Sequence, residues 1–146
     1  LETGVAAGVS TQAILSALEV NGSGHLYSSD LPIFRISDPE NYIGLFVDDE
    51  LKHRWSLFTE GDKNNFKIIF KKIKKVDFLH YDSDKRYFGR RFTMNYLKKY
   101  LNDDSIIIMD DIQDNSFFYD YVKINKLKNF YVFKYENKYV GLIGNI

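Results

Sequence analysis

The chain contains no cysteine. That absence excludes disulfides, thiolate metal sites and a cysteine nucleophile, and it fits a reducing cytoplasm. Charge of one sign is also missing, since 20 Lys and Arg balance 20 Asp and Glu. A neutral chain has no global field to recruit nucleic acid or an anionic membrane, so neither partner is expected. There is no apolar run of transmembrane length and no charged-then-apolar leader, so a soluble, cytoplasmic protein is expected. Proline is scarce, and both residues, Pro32 and Pro39, fall in one polar stretch. What is present is a 45% hydrophobic content over 146 residues. That is ample for one core, and residues 1–146 are expected to form a single domain.

Apolar runs alternate with amphipathic stretches, the pattern of a parallel sheet covered on both faces. Strands are expected at Leu1 to Thr3, His25 to Ser29, Trp55 to Glu60, Val76 to Tyr81 and Ser105 to Met109. Helices are expected at Ser10 to Val20, Asn64 to Lys74, Arg86 to Leu101 and Ser116 to Lys126. Ala13, Ile14, Ala17 and Leu18 carry the helical spacing of the first, and Asn21-Gly22-Ser23-Gly24 stops it. Phe130 to Tyr135 and Lys138 to Ile143 face each other across Glu136-Asn137 as a closing antiparallel hairpin. The segment from Leu31 to Lys52 reads mostly as loop, with a short helical piece near Asp48 to His53. A loop this long in a compact domain serves as a lid or binding loop. The expected architecture is α/β: a Rossmann-like, doubly wound, mostly parallel sheet of about seven strands ending in an antiparallel hairpin.

Two constellations carry chemistry. The first is Glu2-Thr3-Gly4-Val5-Ala6-Ala7-Gly8-Val9-Ser10-Thr11, an acidic residue and small residues running into a helix, with Asp30 closing the next apolar run. Glycines let the backbone approach a ligand, and the helix N-terminus offers free N–H groups to an anion. A carboxylate after the second strand takes ribose hydroxyls, so the set suits an adenosine cofactor. A dinucleotide fingerprint G-x-G-x-x-G laid on Gly4 needs glycine at Ala6 and Val9 and finds neither, which disfavours a nicotinamide cofactor.

The second constellation is Asp82, Asp110 and Asp111, which follow the fourth and fifth expected strands. Ligands of open α/β sheets lie outside the carboxyl ends of strands, and Glu2, Asp30, Asp62, Asp82, Asp110 and Asp111 all fall there. Carboxylates on two neighbouring strand ends can hold a hard divalent ion such as Mg²⁺, which then clamps substrate oxygens. Lys85, three residues after Asp82, is a candidate general base.

The E-x-G-x-A-x-G run at Glu2, Gly4, Ala6 and Gly8 resembles motif I of class I S-adenosylmethionine (SAM) dependent methyltransferases, with Ala6 in place of the middle glycine. Nearly the whole chain is similar to methyltransferase family 24, through Leu1 to Leu15, Gly24 to Pro32, Ile43 to Asp62, Val76 to Tyr87 and Ile106 to Phe118. The resemblance implies that Glu2, Gly4, Ala6, Gly8 and Ser10 form the loop at the methionine part of SAM, with Asp30 at the ribose and Gly61-Asp62 on the adenine side. The D-x-x-K-x-Y pattern at Asp82, Lys85 and Tyr87 is similar to that of catechol-type metal-dependent O-methyltransferases. There it joins a ligand carboxylate to a base lysine, and Asp110-Asp111 stands where those enzymes usually have Asp-Asn. The family also implies a longer first strand and preceding helices, so the chain is expected to lack an N-terminal portion.

The expected function is methyl transfer from SAM to an oxygen of a small molecule, assisted by Mg²⁺ or another divalent cation. The alternatives are a metal-independent methyltransferase of the same fold and a non-catalytic SAM-binding or interaction module. Lys67, Lys71, Lys72, Lys74 and Lys75 read as a solvated helix face, and Trp55 and Phe58 as core.

Overall fold

The computed structural model describes residues 1–32 and 37–145. They divide into two compact units, Leu1–Lys72 and Ile73–Ile146. The first unit runs β1 (Glu2–Thr3), α1 (Val9–Val20), β2 (Leu26–Ser29), β3 (Trp55–Phe58) and α2 (Asp62–Lys72). Its strands lie in the order β3-β2-β1, all parallel, with Glu2 opposite Ser28 and Leu26 opposite Trp55. The second unit runs β4 (Phe78–Tyr81), α3 (Tyr87–Leu97), β5 (Ile106–Met109), α4 (Phe117–Ile124), β6 (Phe130–Tyr135) and β7 (Lys138–Ile143). Its order is β4-β5-β7-β6, with β4 and β5 parallel and β7 antiparallel to both of its neighbours. The seven strands make a mixed, mostly parallel sheet alternating with helices and closed by an antiparallel hairpin, the Rossmann-like class expected.

In the first unit Leu15 of α1, Leu26 of β2 and Val47 form a buried cluster, with Ile14, Leu18, Leu51 and Trp55 packed against it. Trp55 thus serves the core, and its indole N–H donates to Ser28 Oγ at 2.9 Å. Helix α2 buries Phe66, Ile69 and Phe70 at helical spacing, while Lys67, Lys71 and Lys72 stay exposed as expected. The segment expected to be mostly loop carries the short helical piece expected near Asp48 to His53, as a 3₁₀ turn at Asp49–Arg54, and a second 3₁₀ turn that was not expected, Pro39–Tyr42. Pro39 at the head of that turn supplies the φ that a helical start requires. Residues 33–36 of the expected binding loop lie outside the described residues.

In the second unit the core is built by Leu79, Tyr81, Met94, Leu97, Met109, Phe117, Phe118 and Ile143. Helix α3 stops at Leu97, four residues before the expected end, and the chain turns there with Tyr100 N–H and Leu101 N–H both donating to the Leu97 carbonyl, at 2.7 and 3.1 Å. Among the described residues, no helix is long and apolar enough to cross a membrane.

Helix α4 seats on the sheet at a glycine. A Cβ at Gly141, opposite Met109 of β5 and Val132 of β6, would lie 2.3 Å from the Phe118 ring. Gly141→Ala must therefore push a buried aromatic out of its rotamer. It is expected to destabilise the protein by about 1–3 kcal/mol, the usual cost of overpacking, read as a lowered urea midpoint at unchanged slope.

Candidate cofactor site and acidic cluster

In the first unit the backbone leaves β1 at Thr3 and enters α1 at Val9 through a run of left-handed residues: Gly4 at φ 80°, Ala6 at 48° and Gly8 at 91°. Gly4 and Gly8 take such angles freely, whereas Ala6 pays a steric cost. Gly8 is also required for space, since a Cβ there would lie 2.8 Å from Gly44 Cα and 2.9 Å from Val47 Cγ2. Close approach allows Gly44 N–H to donate to Ala6 O at 2.9 Å and Phe46 N–H to Ala7 O at 2.8 Å. The segment after the first 3₁₀ turn is thereby stitched to the glycine loop.

Two carboxylates hold the same loop. Asp30, just past β2, accepts Val5 N–H and Ala6 N–H on Oδ2, each at 2.8 Å, and Leu31 N–H on Oδ1 at 2.6 Å. Glu2 is fully buried, and its carboxylate accepts the hydroxyls of Ser10, Thr11 and Ser28, each at 2.8 Å. A buried carboxylate is tolerated only with such donors. They pin the first turn of α1 to the ends of β1 and β2. Glu2 thus bonds within the protein, and Ser10 is its link to the loop.

Gly61 and Asp62, expected on the adenine side, are attached to the same rim. Gly61, at φ 75°, donates its N–H to Asp30 O at 3.0 Å, and Asp62 Oδ1 accepts the Ser29 hydroxyl at 2.6 Å. All eight residues expected to form the cofactor site, Glu2, Gly4, Ala6, Gly8, Ser10, Asp30, Gly61 and Asp62, belong to this one network or to the loop it holds. Sequence reasoning missed Asn65. Its buried amide donates to Ser29 Oγ, Asp30 O and Phe58 O, and its oxygen accepts Glu60 N–H at 2.9 Å. An asparagine inside a helix normally reads as solvated, but here it joins the ends of β2 and β3.

In the second unit Asp82, Asp110 and Asp111 converge, each offering a carboxylate oxygen within 4.8 Å of the others. Lys85 lies among them: its ammonium pairs with Asp82 Oδ1, with Asp111 Oδ2 at 3.2 Å and with Asp110 Oδ2 at 3.6 Å. Lys138, from β7, adds a second cation 3.3 Å from Asp111 Oδ1. Burial pushes the Asp82 carboxyl above its ordinary range, against the pull of Lys85 and with help from Asp110. Burial acts the same way on Asp111, but hydrogen bonds from Gln113, Lys85 and Lys138 outweigh it and hold that carboxyl low. Neighbouring carboxyls driven in opposite directions are a common feature of functional sites.

The frame beneath the cluster is Arg90, a fully buried guanidinium on α3. Its Nε donates to Lys85 O at 3.0 Å, and its Nη2 to Asp110 O at 3.2 Å and Asp111 O at 2.8 Å. Asn115 adds a bond from Nδ2 to Lys85 O at 2.7 Å. Gly89 has a part as well, since a Cβ there would lie 2.3 Å from Asp84 Cγ. Asp84 accepts Arg86 N–H at 3.0 Å at the head of α3, and its carboxyl is held low by the Arg86 guanidinium. Arg90, Asn115 and Gly89 carry no sequence signal, because each looks ordinary in an amphipathic stretch.

Chemically, the first rim presents a left-handed loop and a carboxylate, and the second a set of oxygen donors that fits a hard divalent cation. A family model described as a methyltransferase domain matches residues 1–112. No match to a curated protein is found. The fold is similar to that of CalS11, a TDP-rhamnose 3'-O-methyltransferase of calicheamicin biosynthesis, with a TM-score of 0.70 at 13% identity over 98% of this chain and 69% of that one. An O-methyltransferase from Bacillus cereus in complex with SAH gives a TM-score of 0.64 at 16% identity, over 99% and 72%. MycE, a methyltransferase of mycinamycin biosynthesis solved with Mg, SAH and mycinamycin VI, gives 0.61 at 14% identity, over 99% of this chain and 43% of that one. The chain therefore spans about 70% of the first two and less than half of the third.

Ala6→Gly removes the left-handed penalty but frees the unfolded chain, so a net gain of about 0.5–1 kcal/mol is expected. A raised thermal midpoint would verify it, and no change would show that Ala6 is unstrained. With its glycine loop, its following carboxylate and a family match over residues 1–112, the chain belongs to the methyltransferase-domain family 24, of class I SAM-dependent type.

Proposed function

We propose that residues 1–146 act as one methyltransferase domain that moves a methyl group from SAM to an oxygen of a small-molecule acceptor. The observation that carries this reading is the loop from Gly4 to Gly8, left-handed at Gly4, Ala6 and Gly8, with its amides held by Asp30 and the helix that follows it pinned by Glu2. A side-chain-poor turn at a helix N-terminus beside a carboxylate has the chemistry to take an amino-acid and ribose ligand. Gly4, Ala6, Gly8 and Ser10 would line the methionine part, Asp30 would accept ribose hydroxyls, and Gly61 and Asp62 would meet the adenine. Glu2 orients Ser10 for that role.

SAM carries its own leaving group, so the protein needs only to align the acceptor and manage one proton. Asp82, Asp110 and Asp111 would hold Mg²⁺ or another divalent ion, and three half-buried oxygen donors within 4.8 Å of one another suit it. Such an ion polarises an acceptor hydroxyl. Lys85 would take the hydroxyl proton as general base once a bound cation, rather than its own ammonium, balances the three carboxylates. Arg90 keeps the backbone under these side chains in place. The oxygen acceptor is supported by the named activities of CalS11 and the Bacillus cereus enzyme. The cysteine-free composition fits the cytoplasmic setting of this reading.

One observation favours a metal-independent variant of the same reaction: the Lys85 ammonium already neutralises the oxygens a metal would need. Calorimetric titration with SAM and, separately, Mg²⁺ divides these readings. SAM is expected to bind at micromolar affinity, about tenfold to a hundredfold more weakly in Asp30→Asn, the loss of a charged hydrogen bond. Asn keeps an oxygen for the Val5 and Ala6 amides, so the loop survives. A folded chain that binds no SAM overturns the reading. Mg²⁺ binding lost in Asp110→Asn supports the metal site, whereas activity unchanged by chelator supports the lysine-only alternative.

A further inference from the structure

We propose that β6 is the contact edge of a homodimer, two copies joining β6 to β6, antiparallel, about a two-fold axis at Val132. Among the described residues β6 is terminal in the strand order of the second unit, with β7 on one side only. All six of its residues are exposed, and Phe130, Tyr131, Val132, Phe133 and Tyr135 are 42–72% accessible. Its sequence, Phe-Tyr-Val-Phe-Lys-Tyr, holds one charge and no proline. Monomeric proteins protect an outer strand of this kind with charges, prolines or bulges.

Which backbone groups face outward follows from the ladder. Gly144 N–H donates to Asn129 O, so that pair is hydrogen-bonded, and bonded pairs recur at every second residue of an antiparallel ladder. Tyr131, Phe133 and Tyr135 therefore bond to β7. Phe130, Val132 and Lys134 turn their N–H and C=O groups to the free edge. A partner strand must satisfy these three, and the register centred on Val132 satisfies all of them. It sets Val132 against Val132, Phe130 against Lys134 and Tyr131 against Phe133 of the second copy.

That register is complementary in charge and shape. The two lysines never oppose each other, and each meets an aromatic ring. Tyr131 and Phe133, already stacked at 6.5 Å within the strand, gain a counterpart pair. An aromatic residue offers roughly 150–250 Å², and about half of that for each of the four rings gives on the order of 300–500 Å² per copy, to which Val132 and Lys134 add. That lies near the small end of specific interfaces, so the backbone bonds along the edge carry a large share of the dimer's stability. Any extended segment can satisfy the backbone edge, but a second copy also supplies the matched side chains by symmetry.

Light scattering of the purified chain at tens of micromolar is expected to give twice the 17.2 kDa monomer mass. Val132→Pro removes an outward N–H without touching the bonds to β7. It is expected to weaken the dimer by about tenfold or more, through two lost hydrogen bonds, with an unchanged circular dichroism spectrum. Val132→Lys, which opposes two charges at the axis, is expected to do the same if the proline variant misfolds. Because the chain has no cysteine, Val132→Cys provides a positive test. Bonded pairs stand about 5.5 Å apart at Cα, within disulfide range. Oxidation should cross-link Val132→Cys and leave Tyr131→Cys, whose counterpart is Phe133, uncross-linked. A monomer at every concentration, leaving the edge to another protein, overturns the proposal. So does a dimer that persists in both the proline and lysine variants.

Discussion

The candidate cofactor site depends on one interaction, the grip of the Asp30 carboxylate on the amides of Val5 and Ala6. Those amides converge on one carboxylate in a loop that is left-handed at Gly4, Ala6 and Gly8, and an L-residue such as Ala6 sits in that region at a cost. An ionised acceptor with two backbone donors offsets that cost. The same carboxylate's residue accepts Gly61 N–H through its carbonyl, so one position couples the turn after β1 to the turn after β3. Glu2 complements it from beneath, binding three hydroxyls so that α1 starts where the loop ends.

The acidic cluster is organised by the opposite charge. Three carboxylates brought within 4.8 Å repel one another, and two lysines plus a buried arginine beneath them make the arrangement tolerable. The division of labour is plain in the contacts. Lys85 and Lys138 meet carboxylate oxygens, whereas Arg90 meets backbone carbonyls and so sets where the carboxylates start from. A planar guanidinium with donors in a fixed fork is suited to that work in a way a lysine is not.

The terminal hairpin shows how one element serves two ends. Its inner strand carries Gly141 under Phe118 and Lys138 beside Asp111, while its outer strand leaves a row of aromatics uncovered. The hairpin lies beyond the residues matched by the family model, which ends at residue 112.

The sequence alone determined the order and type of the elements, because apolar periodicity is a local property. The hairpin strands fall at residues 130–135 and 138–143 as read, and helix ends shift by up to four residues, as at Leu97, where the chain turns and both Tyr100 and Leu101 bond back to one carbonyl. It also determined the candidate carboxylates, since strand ends are legible from where apolar runs stop. Tertiary structure alone decided what those carboxylates do. Asp30 faces amides, Glu2 faces hydroxyls, and Lys85 lies among three aspartates, because partners 25 to 30 residues apart meet only once strands are paired. Arg90, Asn65 and Gly89 stayed invisible for the same reason. A buried arginine, a helical asparagine and a helical glycine have no local signature, and only the fold supplies the carbonyls, hydroxyl and carboxylate that give each its place.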